Sequence, residues 1–165
     1  MNAPKGPKAP VLIGVISDTH GFFDEGISEL FSDVDLILHA GDVGDPQILE
    51  RLSQVAPVVA VRGNVDEQGA CASLPQSVQI VAAGFSLFMT HILDVPDQGQ
   101  ASDLPDPAPD IVIFGHSHRQ CNECRDGILY LNPASAGRQR FSNPRSVSLL
   151  SVTPQHTVEA RLLDL

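Results

Sequence analysis

The chain has no tryptophan, one tyrosine and three cysteines among its 165 residues, and it is short of positive charge. Ten Lys and Arg stand against twenty Asp and Glu, a formal charge of -10 and a pI of about 4.8. That balance argues against non-specific binding to duplex nucleic acid, which needs clustered cations to displace counterions. A nucleotide substrate stays open, because bound divalent cations would reverse the local field. Cys71, Cys121 and Cys124 make an odd count without an export signal, which fits reduced thiols rather than a disulfide framework. No apolar run approaches the roughly 20 residues of a membrane span. The stretch from Met1 to Pro10 is rich in Pro and Lys and has no apolar segment of signal-peptide length. The expectation is a cytoplasmic protein, with a loose arm over residues 1–10 and one domain over residues 11–165. What is present supports that domain: 42% apolar residues and a mean hydropathy of +0.04 suffice for a core and exclude a disordered chain.

The first half alternates strand and helix patterns. Val11–Ile16, Val34–Leu38 and Val58–Val61 are short apolar runs of the kind buried on both faces. Between them, Asp24–Phe31 and Pro46–Val55 have helical spacing, the second with Asp45 as N-cap and Pro46 at the first helical position. This order predicts parallel pairing with right-handed crossovers. In the second half, Val78–Val81 and Ser86–Thr90 flank an Ala83-Gly84 turn. Ile111–Phe114, Ile128–Leu131, Val147–Val152 and Thr157–Leu163 read as further strands, with a turn at Asp126-Gly127. Pro96–Pro109 reads as a loop that could enclose a short helix. The sum is an α/β domain with a substantial antiparallel portion: two packed sheets with helices outside.

In such sheets, ligands collect at the carboxyl ends of strands. Five successive runs here are followed by metal-ligating residue types: Asp18 and His20, then Asp42, then Asn64, then His91, then His116 and His118. Several of these come with a glycine that permits close backbone approach. Two carboxylates, one amide and four imidazoles form an oxygen and nitrogen donor set without thiolate. It suits Mn, Fe, Zn, Ni or Co rather than a structural zinc. Seven ligands exceed one metal but suit two bridged by a carboxylate. Paired ions about 3.5–4 Å apart can bind a phosphoryl oxygen, generate hydroxide and stabilise a leaving oxygen. That chemistry is phosphoester hydrolysis.

Asp18-Thr19-His20, Gly41-Asp42, Gly63-Asn64, Thr90-His91 and Gly115-His116-Ser117-His118, in this order, resemble the motif blocks of the calcineurin-like metallophosphoesterase superfamily. The length and the Asn132-Pro133-Ala134-Ser135-Ala136-Gly137 segment resemble its small bacterial and archaeal phosphodiesterase group. The resemblance runs from about Val11 to about Val152. It implies a four-layer α/β/β/α sandwich of two mixed β-sheets flanked by helices. It also implies a dinuclear centre, with Mn favoured, that uses a metal-bridging hydroxide for in-line attack on phosphorus. Asp18, His20 and His118 would hold the first ion, and Asn64, His91 and His116 the second. Asp42 would bridge, and Asn64 would steady the developing charge as a catalytic residue. Three departures stand out. Val65 replaces a histidine thought to help the leaving group, although the acidic residue after it remains as Asp66. Leu93 replaces a second histidine of the fourth block, and Ala134 replaces a usual glycine.

Other residues keep two readings. His39 and Asp66 could support the ligands from behind, although His39 reads equally well as a buried structural histidine. Cys121 and Cys124 have metal-ligand spacing but no second pair, so they read as ordinary strand and turn cysteines. Arg138, Arg140 and Arg145 could reach a substrate phosphate or pair with surface carboxylates; the pairing is the simpler expectation. His156 reads as surface. The expected substrate is a small or nucleotide phosphodiester, with neither duplex nucleic acid nor membrane as partner, and a homodimer is compatible with the resemblance. The rival expectation is a protein-binding scaffold, like the retromer subunit of the same superfamily.

Overall fold

The computed structural model describes residues 10–95, 99–140 and 142–165. The expected arm, except Pro10, and residues 96–98 lie outside these. Among the described residues, ten strands form two mixed five-stranded sheets. In the first sheet, β1 (Val11–Ile16), β2 (Leu36–His39) and β3 (Val58–Ala60) run parallel. β9 (Ser146–Val152) pairs antiparallel with β1, and β10 (Val158–Asp164) with β9. In the second sheet, β5 (Phe85–Thr90), β6 (Ile111–Ile113) and β8 (Ile128–Pro133) are parallel neighbours. β4 (Ser77–Ala82) and β7 (Gln120–Arg125) lie antiparallel at its two edges. The two mixed sheets and the strand–helix alternation are as the sequence predicts.

Alternation along the strands makes the layers. In β1, Val11, Ile13 and Val15 face the second sheet, where they meet Leu87, Met89, Ile111, Ile113 and Leu131 in the central core. Leu12 and Ile16 face the other way, toward α1 (Gly26–Leu30) and α2 (Pro46–Ser53). Gly14 shares that outer face because a Cβ there would lie 2.9 Å from the Phe31 ring. α2 starts as predicted, with the Asp45 side chain accepting from Gln47 N at 2.8 Å and Pro46 at the first position. Fully burying each aliphatic side chain contributes roughly 1.5–3 kcal/mol.

Four details differ from the expectation. β2 begins at Leu36 rather than residue 34, because Val34 N closes the end of α1 on Phe31 O and Asp35 turns the chain through Leu12. β7 has a mostly polar sequence with no strand signal; pairing with β8 across the Asp126-Gly127 turn holds it extended. Two 3₁₀ turns, at Asn64–Asp66 and Ala70–Ser73, lie where no element was predicted. Among the described residues 99–109 there is no helix. The outer face of the second sheet is instead covered by irregular chain. Leu93, Val95, Ala101 and Leu104 pack on Phe88, Val112 and Tyr130, and Ala101 N donates to Tyr130 Oη at 3.2 Å. Among the described residues, no helix is long and apolar enough to cross a membrane.

Candidate metal centre

The carboxyl ends of β1, β2, β3, β5 and β6 converge at one end of the sandwich and bring all seven predicted ligands together. They fall into two groups whose ligand atoms lie within 4.8 Å of one another: Asp18, His20 and His118, and Asp42, His91 and His116. Asn64 joins the second, its Oδ1 at 3.1 Å from His116 Nδ1. Asp42 Oδ2 faces both, 3.8 Å from His20 Nε2 and 3.3 Å from His91 Nε2. The other oxygen of Asp42 is taken by the Val65 N–H at 3.0 Å, so one oxygen remains to serve both groups.

Asp18 is fixed from every side. Its Oδ2 accepts from Ser17 Oγ at 2.6 Å and from His116 N at 3.1 Å, and its carbonyl from Ser135 Oγ at 2.9 Å and Gly137 N at 3.1 Å. Its Oδ1 lies 3.0 Å from His118 Nε2, 3.8 Å from His20 Nε2 and 3.9 Å from His91 Nε2. This oxygen and His91 Nε2 are buried side-chain atoms without a properly directed hydrogen bond. His91 is oriented by Nδ1, 2.7 Å from Ala40 O, which turns the Nε2 lone pair toward Asp42. Buried carboxylate oxygens and an imidazole lone pair converging on one space call for a cation between them. The residues fit a divalent metal.

The surroundings serve that convergence. Asp66 is buried, and its oxygens accept from Val43 N at 3.0 Å, Gly44 N at 2.9 Å and Gly63 N at 2.9 Å. It thereby staples the loop of Asp42 to that of Asn64. His39 accepts from Gly41 N at 3.2 Å through Nδ1 and meets Thr19 Oγ1 at 3.0 Å through Nε2, while Thr19 donates to Val43 O. Both predicted supports therefore touch backbone beside the ligands, not the site itself. At Gly63 and Gly115 a Cβ would lie 2.1 Å from Asp42 Oδ1 and from Ser17 Oγ respectively, so only glycine admits the Asp42 carboxylate and the Ser17 hydroxyl there.

Electrostatics follow from burial and charge. Complete burial pushes His39 down to about 4. Burial also lowers His20, against the pull of Asp42 and Asp18. His118 is raised by its contact with Asp18. Burial opposes protonation of His91, but Asp42 and Asp18 outweigh it and hold its pKa above the ordinary value. Burial likewise opposes ionisation of Asp42, yet His91 and the Val65 N–H keep it below the usual carboxylate range.

The arginines divide. Arg145 pairs with Asp24 at 2.9 Å and also bonds the carbonyls of Ala136 and Gly137; Arg138 stacks on the Phe22 ring. Arg140 makes no ion pair among the described residues, although its charge opposes protonation of His20 and His118. Cys121 and Cys124, three apart on a strand, point to opposite faces. His156 is exposed at the far end, edge-on to Phe85. Residue-by-residue reading missed Ser17, Asn132 and Ser135 as positioning groups. Asn132 Nδ2 donates to Gly115 O at 2.9 Å and its Oδ1 accepts from Ala134 N at 2.9 Å. For Asn132 and Ser135 the one signal was the Asn-Pro segment.

Known proteins resemble this chain in sequence and fold. The profile of the calcineurin-like phosphoesterase superfamily domain matches residues 11–155. A probable metallophosphoesterase of Methanocaldococcus jannaschii is 36% identical over 165 residues, covering 94% of this chain and 82% of that one. Phosphodiesterase YfcE of Escherichia coli is 30% identical over 158 residues, covering 81% and 84%. The crystal structure of Vps29 from Entamoeba histolytica in complex with zinc has the same fold, with a TM-score of 0.66 at 20% identity over 93% of this chain and 99% of that one. The chain belongs to the calcineurin-like phosphoesterase superfamily, and with it to the metal-dependent phosphoesterases.

Proposed function

We propose that the protein is a phosphodiesterase with a dinuclear centre. Asp18, His20 and His118 would hold one divalent ion, Asn64, His91 and His116 the other, and Asp42 would serve both. The observation that carries this reading is the pair of ligand groups meeting at two buried atoms without a directed hydrogen bond, Asp18 Oδ1 and His91 Nε2. When bound, two such ions supply a deprotonated water for in-line attack on phosphorus and neutralise the developing charge. The chain's own residues do the rest. Asp18, His91 and Asp42 are held by backbone bonds and need no reorganisation during reaction. The amide NH₂ of Asn64, whose oxygen turns to the second group, donates to a phosphoryl oxygen. Val65, 47% exposed where the superfamily often has histidine, offers the leaving oxygen no proton, so activated diesters react faster than poor leaving groups. The mixed oxygen and nitrogen donors accept Mn, Ni, Fe, Zn or Co, and the choice of Mn among them rests on the superfamily resemblance. The protein with Mn²⁺ is expected to release nitrophenol from bis-p-nitrophenyl phosphate. Asp42→Asn is expected to lower kcat/KM by roughly a hundredfold or more. Turnover no higher than that variant's across several metals contradicts the reading. The scaffold alternative draws on the Vps29 likeness, which speaks for the fold alone.

A further inference from the structure

Residues 68–93 contain no Asp, Glu, Lys or Arg, in a chain that carries twenty acidic and ten basic side chains. This stretch builds the β4–β5 hairpin, and β4 is an edge of the second sheet. The turn decides which backbone groups of β4 are paired. The register sets Ala82 against Phe85 around the two-residue Ala83-Gly84 loop, so Ala82, Ile80 and Val78 exchange hydrogen bonds with β5. Ser86, opposite Val81, turns its backbone the other way: its N–H donates to Asp110 Oδ2 at 2.7 Å, and its carbonyl accepts from Asp110 N at 2.9 Å. The N–H and C=O groups of Ser77, Gln79 and Val81 therefore face outward. Among the described residues, no strand other than β5 pairs with β4.

Strand edges are normally protected by shortness, charge, proline or a cover. β3 is three residues long. β7 carries Glu123 and Arg125, and β10 carries Glu159, Arg161 and Asp164. These two edges are also tied together, Gln120 Nε2 donating to Asp164 Oδ1 at 3.2 Å and Asn122 Nδ2 to Ala160 O at 2.9 Å. β4 has six residues, no charge and no proline, and its Val81 is 76% exposed. On its inner face Val78, Ile80 and Ala82 are only half-buried at the rim of the central core.

We propose that β4 pairs antiparallel with β4 of a second copy of this chain, joining the two second sheets into one. Gln79 lies on the two-fold axis opposite its own counterpart, and Val81 lies opposite the partner's Ser77. The half-buried Val78 and Ile80 of each copy then cover one another. Charge selects the occupant. Two chains of net charge -10 repel over most of their surface, and a neutral strand with self-complementary outward groups is where they approach at least cost. The two-fold axis runs normal to the sheet, so the carboxyl ends of β5, and with them the two metal centres, point in opposite directions. The seven ligands of each centre come from one chain, and pairing leaves turnover per chain unchanged.

Sedimentation equilibrium of the native protein at micromolar concentration tests the pairing. The expected mass is twice the 17.6 kDa of one chain. Val81→Lys places a charge on the edge, and Gln79→Pro removes an outward N–H where an edge strand tolerates proline. Both are expected to sediment as monomers with native circular dichroism. Glu159→Lys, a comparable change on the β10 edge, is expected to stay dimeric. A monomeric native protein, a dimer that survives both β4 variants, or equal loss of the dimer in Glu159→Lys overturns the proposal. Should both β4 variants misfold, hydrogen exchange in the native protein decides. The Gln79 and Val81 amides are expected to exchange about tenfold more slowly in the dimer than after dilution to the monomer. Equally fast exchange at both concentrations overturns the proposal.

Discussion

Left-handed backbone occurs at both ends of the sandwich, for different reasons. At one end Ala83, Asp126 and His156 have φ of 48°, 51° and 57° in the β4–β5, β7–β8 and β9–β10 turns. The first two precede left-handed glycines, Gly84 and Gly127, the pairing that tight hairpins favour. At the other end Asp18, His20, Asp42, His116 and His118 have φ of 56°, 47°, 54°, 67° and 55°, and no hairpin requires it. Such residues cost about 1–3 kcal/mol each and persist where the surroundings over-determine them. Here the surroundings are buried polar side chains bonded to the backbone around the ligands: Asp66, His39, Asn132 and Ser135. Turn chemistry shapes one end of the molecule; a polar scaffold strains the other toward its ligands.

Removing a carboxylate from each end sharpens that contrast most. Asp66→Ala leaves the N–H groups of Val43, Gly44 and Gly63 without their acceptor, and is expected to cost roughly 3–5 kcal/mol in urea unfolding. Asp126→Ala in the hairpin turn is expected to cost about 1 kcal/mol or less. Equal losses would break the comparison.

A smaller effect comes from acid. His39 is held neutral, with its folded pKa near 4 against an ordinary 6.5. The unfolded chain therefore takes up a proton that the fold refuses, and stability falls as pH drops from about 6.5 toward 4. The loss reaches on the order of 3 kcal/mol. His39→Gln removes this contribution, so the difference between variant and native unfolding energies should shrink across that range. A parallel dependence of both proteins on pH would show that His39 is not the acid-sensitive support.

The legible part of the molecule was its end-of-strand chemistry. β1, β2, β3, β5 and β6 are short apolar runs, and the polar residue after each had nowhere to go but the carboxyl edge. The hairpin turns were legible for the same local reason, through Ala83-Gly84 and Asp126-Gly127. The polar scaffold was harder to read because its bonds join distant residues. Ser135 reaches the carbonyl of Asp18 across 117 positions, and Asp66 reaches Gly44 across 22. β7 escaped because an edge strand needs only pairing, not an apolar pattern.

The smallest effects come from giving left-handed alanines a glycine. Ala83→Gly relieves strain at a partly exposed turn and is expected to stabilise by about 0.5 kcal/mol. Ala134, at φ 66° where the superfamily usually has glycine, is fully buried, so the same change also removes a methyl worth about 0.8 kcal/mol. Its net effect is expected within about 0.5 kcal/mol of zero by thermal unfolding. A gain at Ala134 larger than at Ala83 would show that the site end carries the greater backbone strain.

The central claim is that the seven converging ligands hold two divalent ions. Metal content per chain after loading with Mn²⁺, followed by desalting and elemental analysis, tests it most directly. The account predicts close to two equivalents, falling to about one or fewer in Asp42→Asn because the shared oxygen is weakened for both ions. One equivalent or none in the native protein, or an unchanged content in the variant, would contradict it.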